Sequence, residues 1–159
     1  MASAIELLLL AQSSQTPLVY STSTTLINSS TDALVNGLAV SVLAGTTYSI
    51  TANVVYVTGA AAGTPVFTWH GPAVSMGILL TDFLDSNAAN TTAARVLNGS
   101  IGSSATGPTM TASNTCAYRA SGLATFSAAG GLSVQAHTSS GSDPFTCQIG
   151  SFISVQALP

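Results

Sequence analysis

The feature that most constrains the fold is an alternation of side chains over residues 47–57. Every second position there carries an apolar or aromatic side chain: Tyr48, Ile50, Ala52, Val54 and Tyr56. Successive side chains of a β-strand point to opposite faces, so the pattern predicts a strand with one buried face. No helix-period segment of useful length follows the first dozen residues, and a parallel sheet would need crossover helices. The chain is therefore expected to be all-β and antiparallel.

Similar short segments recur along the chain and are separated by Gly, Asn, Ser and Pro, which favour turns. The predicted strands cover residues 18–24, 38–43, 47–57, 65–70, 94–101, 110–119, 122–126, 132–138, 144–148 and 151–158. Residues 44–46 are predicted to form a turn and residues 59–63 a hairpin loop, whereas residues 73–83 are apolar and fit either type of structure. About eight to ten short strands joined by polar turns are typical of an antiparallel β-sandwich or jelly roll. We expect one such domain over residues 17–159, preceded by an N-terminal arm over residues 1–16.

Charge is almost absent from this sequence. Two arginines and five acidic residues are the only charged side chains among 159 residues, and there is no lysine. About a quarter of the residues in an ordinary domain are charged, so about 40 would be expected at this length. A surface with so few charges provides little repulsion between copies. The composition therefore predicts a subunit covered by others, with Arg95 and Arg119 as candidate donors of interface ion pairs.

The same shortage of charge argues against two classes of partner. Binding to nucleic acid requires clustered Lys and Arg to neutralise phosphates, and two isolated arginines on a chain of formal net charge −3 do not supply them. Attraction to anionic lipid needs the same cations. A membrane span is also not expected, because no uninterrupted apolar run approaches about 18 residues.

The first eleven residues carry an apolar run, but they do not match a signal peptide. A positively charged start is missing, Glu6 interrupts the run, and the apolar stretch is shorter than a signal peptide requires. Two interpretations stay open: a short helix or strand with one apolar face, or an arm that docks on a neighbouring subunit. In the second case the candidate interface residues are Leu7, Leu8, Leu9 and Leu10.

The sequence offers little material for catalysis, and no catalytic residue, cofactor or metal ligand set is assigned. His70 and His137 are the only usual general bases; His70 is expected to cap a turn, and His137 to lie at the surface or an interface. Cys116 and Cys147 fall in predicted strands, so a disulfide is geometrically feasible, but without an export signal reduced and buried thiols are expected. The two histidines are not spaced suitably around the cysteines for a zinc site. The chain is not expected to be an enzyme.

A few side chains are compatible with binding a glycan. Asp82 and Asp85 fit either a carboxylate pair for calcium or glycoside chemistry, or a solvated turn before Asn87. The aromatic residues Trp69, Tyr48, Tyr56 and Tyr118 fit either a sugar-stacking platform or the core, and core packing is favoured because Tyr48 and Tyr56 share the apolar face of their strand. The candidate glycan-binding residues are therefore Trp69, Asp82, Asp85 and Asn87.

Several turn and strand motifs occur in both halves of the chain. In the opening half these are Leu43-Ala-Gly-Thr-Thr-Tyr48 and Phe67-Thr-Trp-His-Gly-Pro72. In the closing half they are Arg119-Ala-Ser-Gly-Leu-Ala-Thr-Phe126, Ala129-Gly-Gly-Leu-Ser-Val-Gln135 and Ile149-Gly-Ser-Phe-Ile-Ser-Val155. Together they resemble a recurrent bacteriophage structural domain of the TNF/C1q-like jelly-roll type, and the closing motifs resemble its consecutive terminal hairpins. The N-terminal stretch and the low charge content depart from the family pattern.

The resemblance implies a structural protein of the phage particle. It implies a trimer found in virions, assembled in the host cytoplasm, either as a capsid decoration (cement) subunit or as a tail-tip protein. The expected partners are copies of itself and a major capsid protein. In the alternative, receptor-binding role the partner would be a host glycan.

Overall fold

The computed structural model describes residues 17–60, 63–85, 94–98, 101–140 and 143–159. These residues form twelve β-strands, and no helix that could cross a membrane occurs among them. The strands are β1 (Leu18–Tyr20), β2 (Thr25–Ile27), β3 (Ala33–Val42), β4 (Thr47–Thr58), β5 (Pro65–His70), β6 (Val74–Asp85), β7 (Ala94–Asn98), β8 (Ser104–Thr106), β9 (Thr115–Phe126), β10 (Gly130–Thr138), β11 (Phe145–Cys147) and β12 (Phe152–Ala157).

The strands form two antiparallel sheets that pack as a sandwich. The larger sheet, sheet I, has the order β1-β12-β4-β9-β6-β7, with β11 beside β4 and β2 beside β11. The smaller sheet, sheet II, has the order β3-β10-β5-β8. If β2, β6, β7 and β11 are set aside, each sheet has four strands. Each remaining strand is then followed in the chain by a strand of the other sheet, except that β5 is followed by β8 of the same sheet. This interleaving of two antiparallel sheets is the connectivity of a jelly roll.

The prediction of an all-β antiparallel sandwich is confirmed, and so is the turn at residues 44–46, but the predicted hairpins are wrong. Residues 59–63 were predicted to close a hairpin, yet β4 belongs to sheet I and β5 to sheet II. The closing strands were compared with consecutive hairpins, yet β9 and β10 lie in different sheets, and β11 and β12 both pair with β4. Across the described ranges, β6 and β7 are the only consecutive strands that pair with each other. Turn-forming residues predict that the chain reverses direction, but they do not predict which sheet the next strand joins.

Some predicted boundaries also change. Residues 110–119 and 122–126 were expected to form two strands, but the chain is continuous as β9 from Thr115 to Phe126. Gly122 does not break this strand, and its bare backbone allows a close approach, because a Cβ there would lie 1.9 Å from the Ile78 carbonyl oxygen. The apolar residues 73–83, left open above, belong to β6.

The core lies between the sheets and is built around aromatic side chains. The alternating residues of β4, from Tyr48 to Tyr56, are all buried, as the sequence predicts. Phe67 of sheet II stacks on Tyr118 of sheet I, with ring centroids 4.4 Å apart. Trp69 Nε1 donates a hydrogen bond to the Tyr118 hydroxyl at 2.9 Å. Burial raises the pKa of Tyr118 far above its ordinary value, so the hydroxyl stays protonated and joins the two sheets.

Both cysteines are buried, and they are not joined in a disulfide. Cys147 pairs in register with Tyr56, and Tyr56 pairs with Cys116 on its other side, so β4 separates the two thiols. Burial raises the pKa of the Cys147 thiol to about 12, which keeps it in the unreactive protonated form.

Candidate functional site: the outer faces of the sandwich

A row of polar and aromatic residues crosses the outer face of sheet I. The strand register places Arg95, Asp82, Arg119, Asn53, Phe152 and Tyr20 side by side on β7, β6, β9, β4, β12 and β1. Arg119 is exposed, and its Nε donates to Asn53 Oδ1 at 3.3 Å. Both basic residues of the chain therefore occupy one row, on either side of Asp82.

Next to this row the outer face becomes apolar. Met76 and Ile78 of β6 are 54% and 59% exposed, and Leu123 of β9 is 43% exposed. They line a depression of about 270 Å³ with Leu80 and Ser121. A second depression of about 420 Å³ contains the same Leu80 and Ser121 and extends to Asp82 and Arg119. The two depressions share Leu80 and Ser121, and we call them together the trough, which is charged at one end and apolar at the other.

The far edge of sheet I is apolar as well. Leu18 and Tyr20 of β1, Leu26 of β2 and Ile149 in the turn before β12 are all exposed. Tyr20 contacts Phe152, with ring centroids 6.1 Å apart. Large exposed apolar groups that are clustered mark surfaces that other molecules cover.

The outer face of sheet II is mostly polar, with Leu34 as an exposed apolar exception, and its central side chain is Asp32. His70 Nε2 donates to Asp32 Oδ2 at 2.9 Å, and His137 Nδ1 donates to Asp32 Oδ1 at 2.6 Å. The buried Thr68 adds a hydrogen bond from its Oγ1 to Oδ1 at 3.2 Å. The cluster fastens the segment before β3 to strands β5 and β10.

The environment of Asp32 favours the carboxylate. Burial alone would raise its pKa, but hydrogen bonds from His70, His137 and Thr68, together with the charge of His137, hold the pKa below its ordinary value. Within the described ranges, no group of three or more His, Cys, Asp or Glu side chains is arranged to hold a metal ion. The hydrogen bonds of Asp32 therefore connect neighbouring strands at the protein surface.

The structure separates the candidate glycan-binding residues. Trp69 is only 1% exposed and faces the core, so stacking a sugar on its indole, as considered above, is wrong. Asp82 lies on the outer face of sheet I, at the charged end of the trough. Asp85 is the last residue of β6, and Asn87 lies outside the described residues.

Of the candidate interface residues, Arg119 is exposed on β9, and Arg95 holds the matching register position on β7. The arm over residues 1–16, with Leu7, Leu8, Leu9 and Leu10, lies outside the described residues. His137 lies on the face opposite Leu132, Val134 and Ala136, as predicted. His70 was expected to cap a turn and instead pairs with Asp32.

Two features of these faces were missed in the sequence. Asp32 and its two histidines are far apart in the chain, and only the pairing of β10 with β3 and β5 brings them together. Ile78 and Met76 lie in a segment whose alternation is hidden, because apolar residues occupy both faces of β6. The available signal was that residues 73–83 contain more apolar side chains than one buried face of a strand requires.

Comparisons with known proteins add little. No protein-family model matches the chain, and no curated protein matches it. Among solved structures, the chain is similar to infectious bursal disease virus Gt strain at 11% identity and a TM-score of 0.26, over 91% of this chain. It is also similar to the Gx strain at 13% identity and a TM-score of 0.22, over 89% of this chain. The chain spans 38% of the length of each matched chain, and similarities this weak carry no argument about fold or function.

Proposed function

We propose that this chain is a structural protein of a bacteriophage virion, a capsid decoration (cement) subunit that assembles as a trimer. The observation that carries the proposal is the surface, which combines almost no charge with exposed apolar groups on sheet I. Such a surface is unfavourable in water and favourable when other subunits cover it. The resemblance of the turn and strand motifs to phage structural domains supports the same role.

The proposed mechanism is burial of apolar surface between subunits. Each apolar Å² removed from water contributes about 25 cal/mol, so contacts to two sister copies and to the shell add up over a whole particle. The few charges then set the register between subunits and contribute little of the attraction. A subunit of this type stabilises a head by joining neighbouring capsomers.

The alternative function, a tail-tip module that binds host glycan, has less support. Its aromatic platform required Trp69, which is buried in the core. Asp82 faces solvent on sheet I, but the described surface places no aromatic candidate of that alternative beside it. No further observation favours this alternative.

The proposal is tested by counting copies in purified particles. We expect hundreds of copies per virion by quantitative mass spectrometry, and an oligomer for the purified protein by light scattering. A copy number near that of a tail tip would contradict the cement role. A monomer with no affinity for capsids would contradict the structural role altogether.

A matched pair of variants tests which face makes the contacts. Leu123 on sheet I and Leu34 on sheet II are 43% and 45% exposed, so replacing either with serine removes a similar apolar area. We expect Leu123→Ser to reduce self-association or capsid occupancy about tenfold, the equivalent of about 1.4 kcal/mol, and Leu34→Ser to change neither. Equal effects of the two substitutions would show that sheet I has no special role.

A further inference from the structure

We propose that the trough on sheet I binds residues 5–10 of a neighbouring copy, with Glu6 facing Arg119 and the following leucines over the apolar end. This inference rests on the proposed function, because it names the contact through which the copies associate. Residues 5–10 read Ile-Glu-Leu-Leu-Leu-Leu, one carboxylate followed by four apolar side chains. The trough presents the same order of properties along its length.

The charges restrict where Glu6 can pair. It is the only charged residue among the first 31, and a chain without lysine has guanidinium partners only at positions 95 and 119. Both positions lie in the row at the charged end of the trough, with Asp82 between them. The hydrogen bond from Arg119 to Asn53 uses Nε, so the two terminal nitrogens can accommodate a carboxylate in a bidentate pair. The row holds two arginines and one aspartate, so one further carboxylate would balance its charge.

The apolar end of the trough is long enough to hold the four leucines. From the row of Arg119, the outer face continues through Leu80 and Ile78 to Met76 along β6. Outward-facing positions on one strand repeat about every 6.7 Å, so these positions extend about 20 Å from Asp82. Four residues of extended chain after Glu6 span about 13 Å, enough to cover Leu80, Ile78 and Leu123.

The start of the described chain points to a neighbouring copy as the source. Pro17 precedes β1, the edge strand of sheet I that lies farthest from the apolar end of the trough, and its carbonyl accepts a hydrogen bond from the Val155 amide at 3.1 Å. This bond keeps the chain in the plane of the sheet as it reaches the edge. Four strand spacings, about 19 Å, separate β1 from β6, so the arm would need to fold back over its own sheet to reach the apolar end of its own trough. Delivery to the next copy around a closed ring avoids this reversal.

Charge reversal tests the pair and its source together. We expect Glu6→Arg and Arg119→Glu each to weaken self-association at least about tenfold, because each places like charges at the contact. The double variant carrying both changes in one chain should associate like the wild type. Since Arg119 is exposed, these changes should leave the melting temperature of the described domain unaltered, and circular dichroism checks this.

Mixing the two single variants decides which copy provides the arm. If the arm binds a neighbour, every contact between unlike copies restores an Arg–Glu pair, so an equimolar mixture regains association measured by light scattering. In a ring of three, two of the three contacts are restored, and recovery should be partial. If the arm binds its own copy, mixing restores nothing, whereas the double variant still recovers.

The outcomes separate this inference from the proposed function. Recovery by the double variant without recovery on mixing would overturn the assignment to a neighbour. Unaltered association in both single variants, in a protein that is oligomeric and abundant in particles, would overturn the contact and leave the cement role standing. A wild-type protein that is monomeric and absent from particles would overturn both.

Discussion

The outer faces of the two sheets differ sharply, although both cover the same core. On sheet I the outward positions include Met76, Ile78 and Leu123, and the chain's two arginines lie in one row. On sheet II they are mostly small polar side chains around a single carboxylate, Asp32, which is bonded within its own subunit. The central carboxylate of sheet II is paired within the subunit and Leu34 is exposed beside it, whereas sheet I exposes three large apolar side chains together. This difference is the reason for proposing sheet I as the side that contacts other molecules.

The comparison also distinguishes two ways of holding strands together. In sheet I, long strands pair over many residues and approach closely where side chains are absent. Side-chain hydrogen bonds join strands in both sheets, such as Arg119 to Asn53 in sheet I, but those of sheet II converge on Asp32 and add to a smaller number of backbone pairs. We therefore expect changes to backbone spacing to affect sheet I most, and changes to side-chain partners to affect sheet II.

The largest expected loss of stability comes from Gly122→Ala, in sheet I. An added Cβ would lie 1.9 Å from the Ile78 carbonyl oxygen, so β6 and β9 must separate. We expect the free energy of unfolding to fall by about 3 kcal/mol, as for other overpacked sites. Gly131→Ala is the control, because no atom lies within 4 Å of the added Cβ. Equal urea midpoints for the two variants would show that the close backbone approach at Gly122 does not matter for the stability of sheet I.

A middle-sized effect is expected where the sheets meet, from Tyr118→Phe. The change leaves the buried Trp69 N–H without its acceptor, which should cost about 2 kcal/mol of stability. Tyr20→Phe, on an exposed tyrosine, should stay within about 0.5 kcal/mol of the wild type. Chemical denaturation measures both, and a Tyr118→Phe protein as stable as its control would show that this hydrogen bond does not join the sheets.

The smallest effect is expected on sheet II, from Asp32→Asn. A quarter of the Asp32 side chain is exposed, so at pH 7 the loss should not exceed about 1 kcal/mol. The pKa of Asp32 is lowered in the folded protein below the ordinary 3.8. Its contribution is therefore complete above about pH 4 and is lost as the pH falls through the lowered pKa.

The measurement is the stability difference between wild type and Asp32→Asn, followed from pH 7 towards pH 2. We expect the difference to shrink below about pH 4, because the protonated carboxyl no longer attracts the histidines. A difference that stays constant through this range would mean that the carboxylate does not hold the outer face of sheet II together.

The residues of single strands were the most predictable part of this protein. The alternation over residues 47–57 correctly identified the buried side of β4, because period-two patterning reflects which side chains meet the core. The position of His137 opposite Leu132 followed from the same rule. Pairing between distant strands could not be predicted, because alternation fixes the face of a strand and not its neighbour. For that reason Asp32, His70 and His137 were treated as separate residues.

The sequence by itself determined that this protein is an antiparallel sandwich and that its surface carries almost no charge, since both follow from residue types and their local order. The tertiary structure alone decided that consecutive strands enter different sheets, that Trp69 is buried, and that both arginines share one row on sheet I. Local order specifies which side of a strand avoids water. Which strands become neighbours depends on the packing of the whole core, and that packing places both arginines on the same face as the exposed Met76, Ile78 and Leu123.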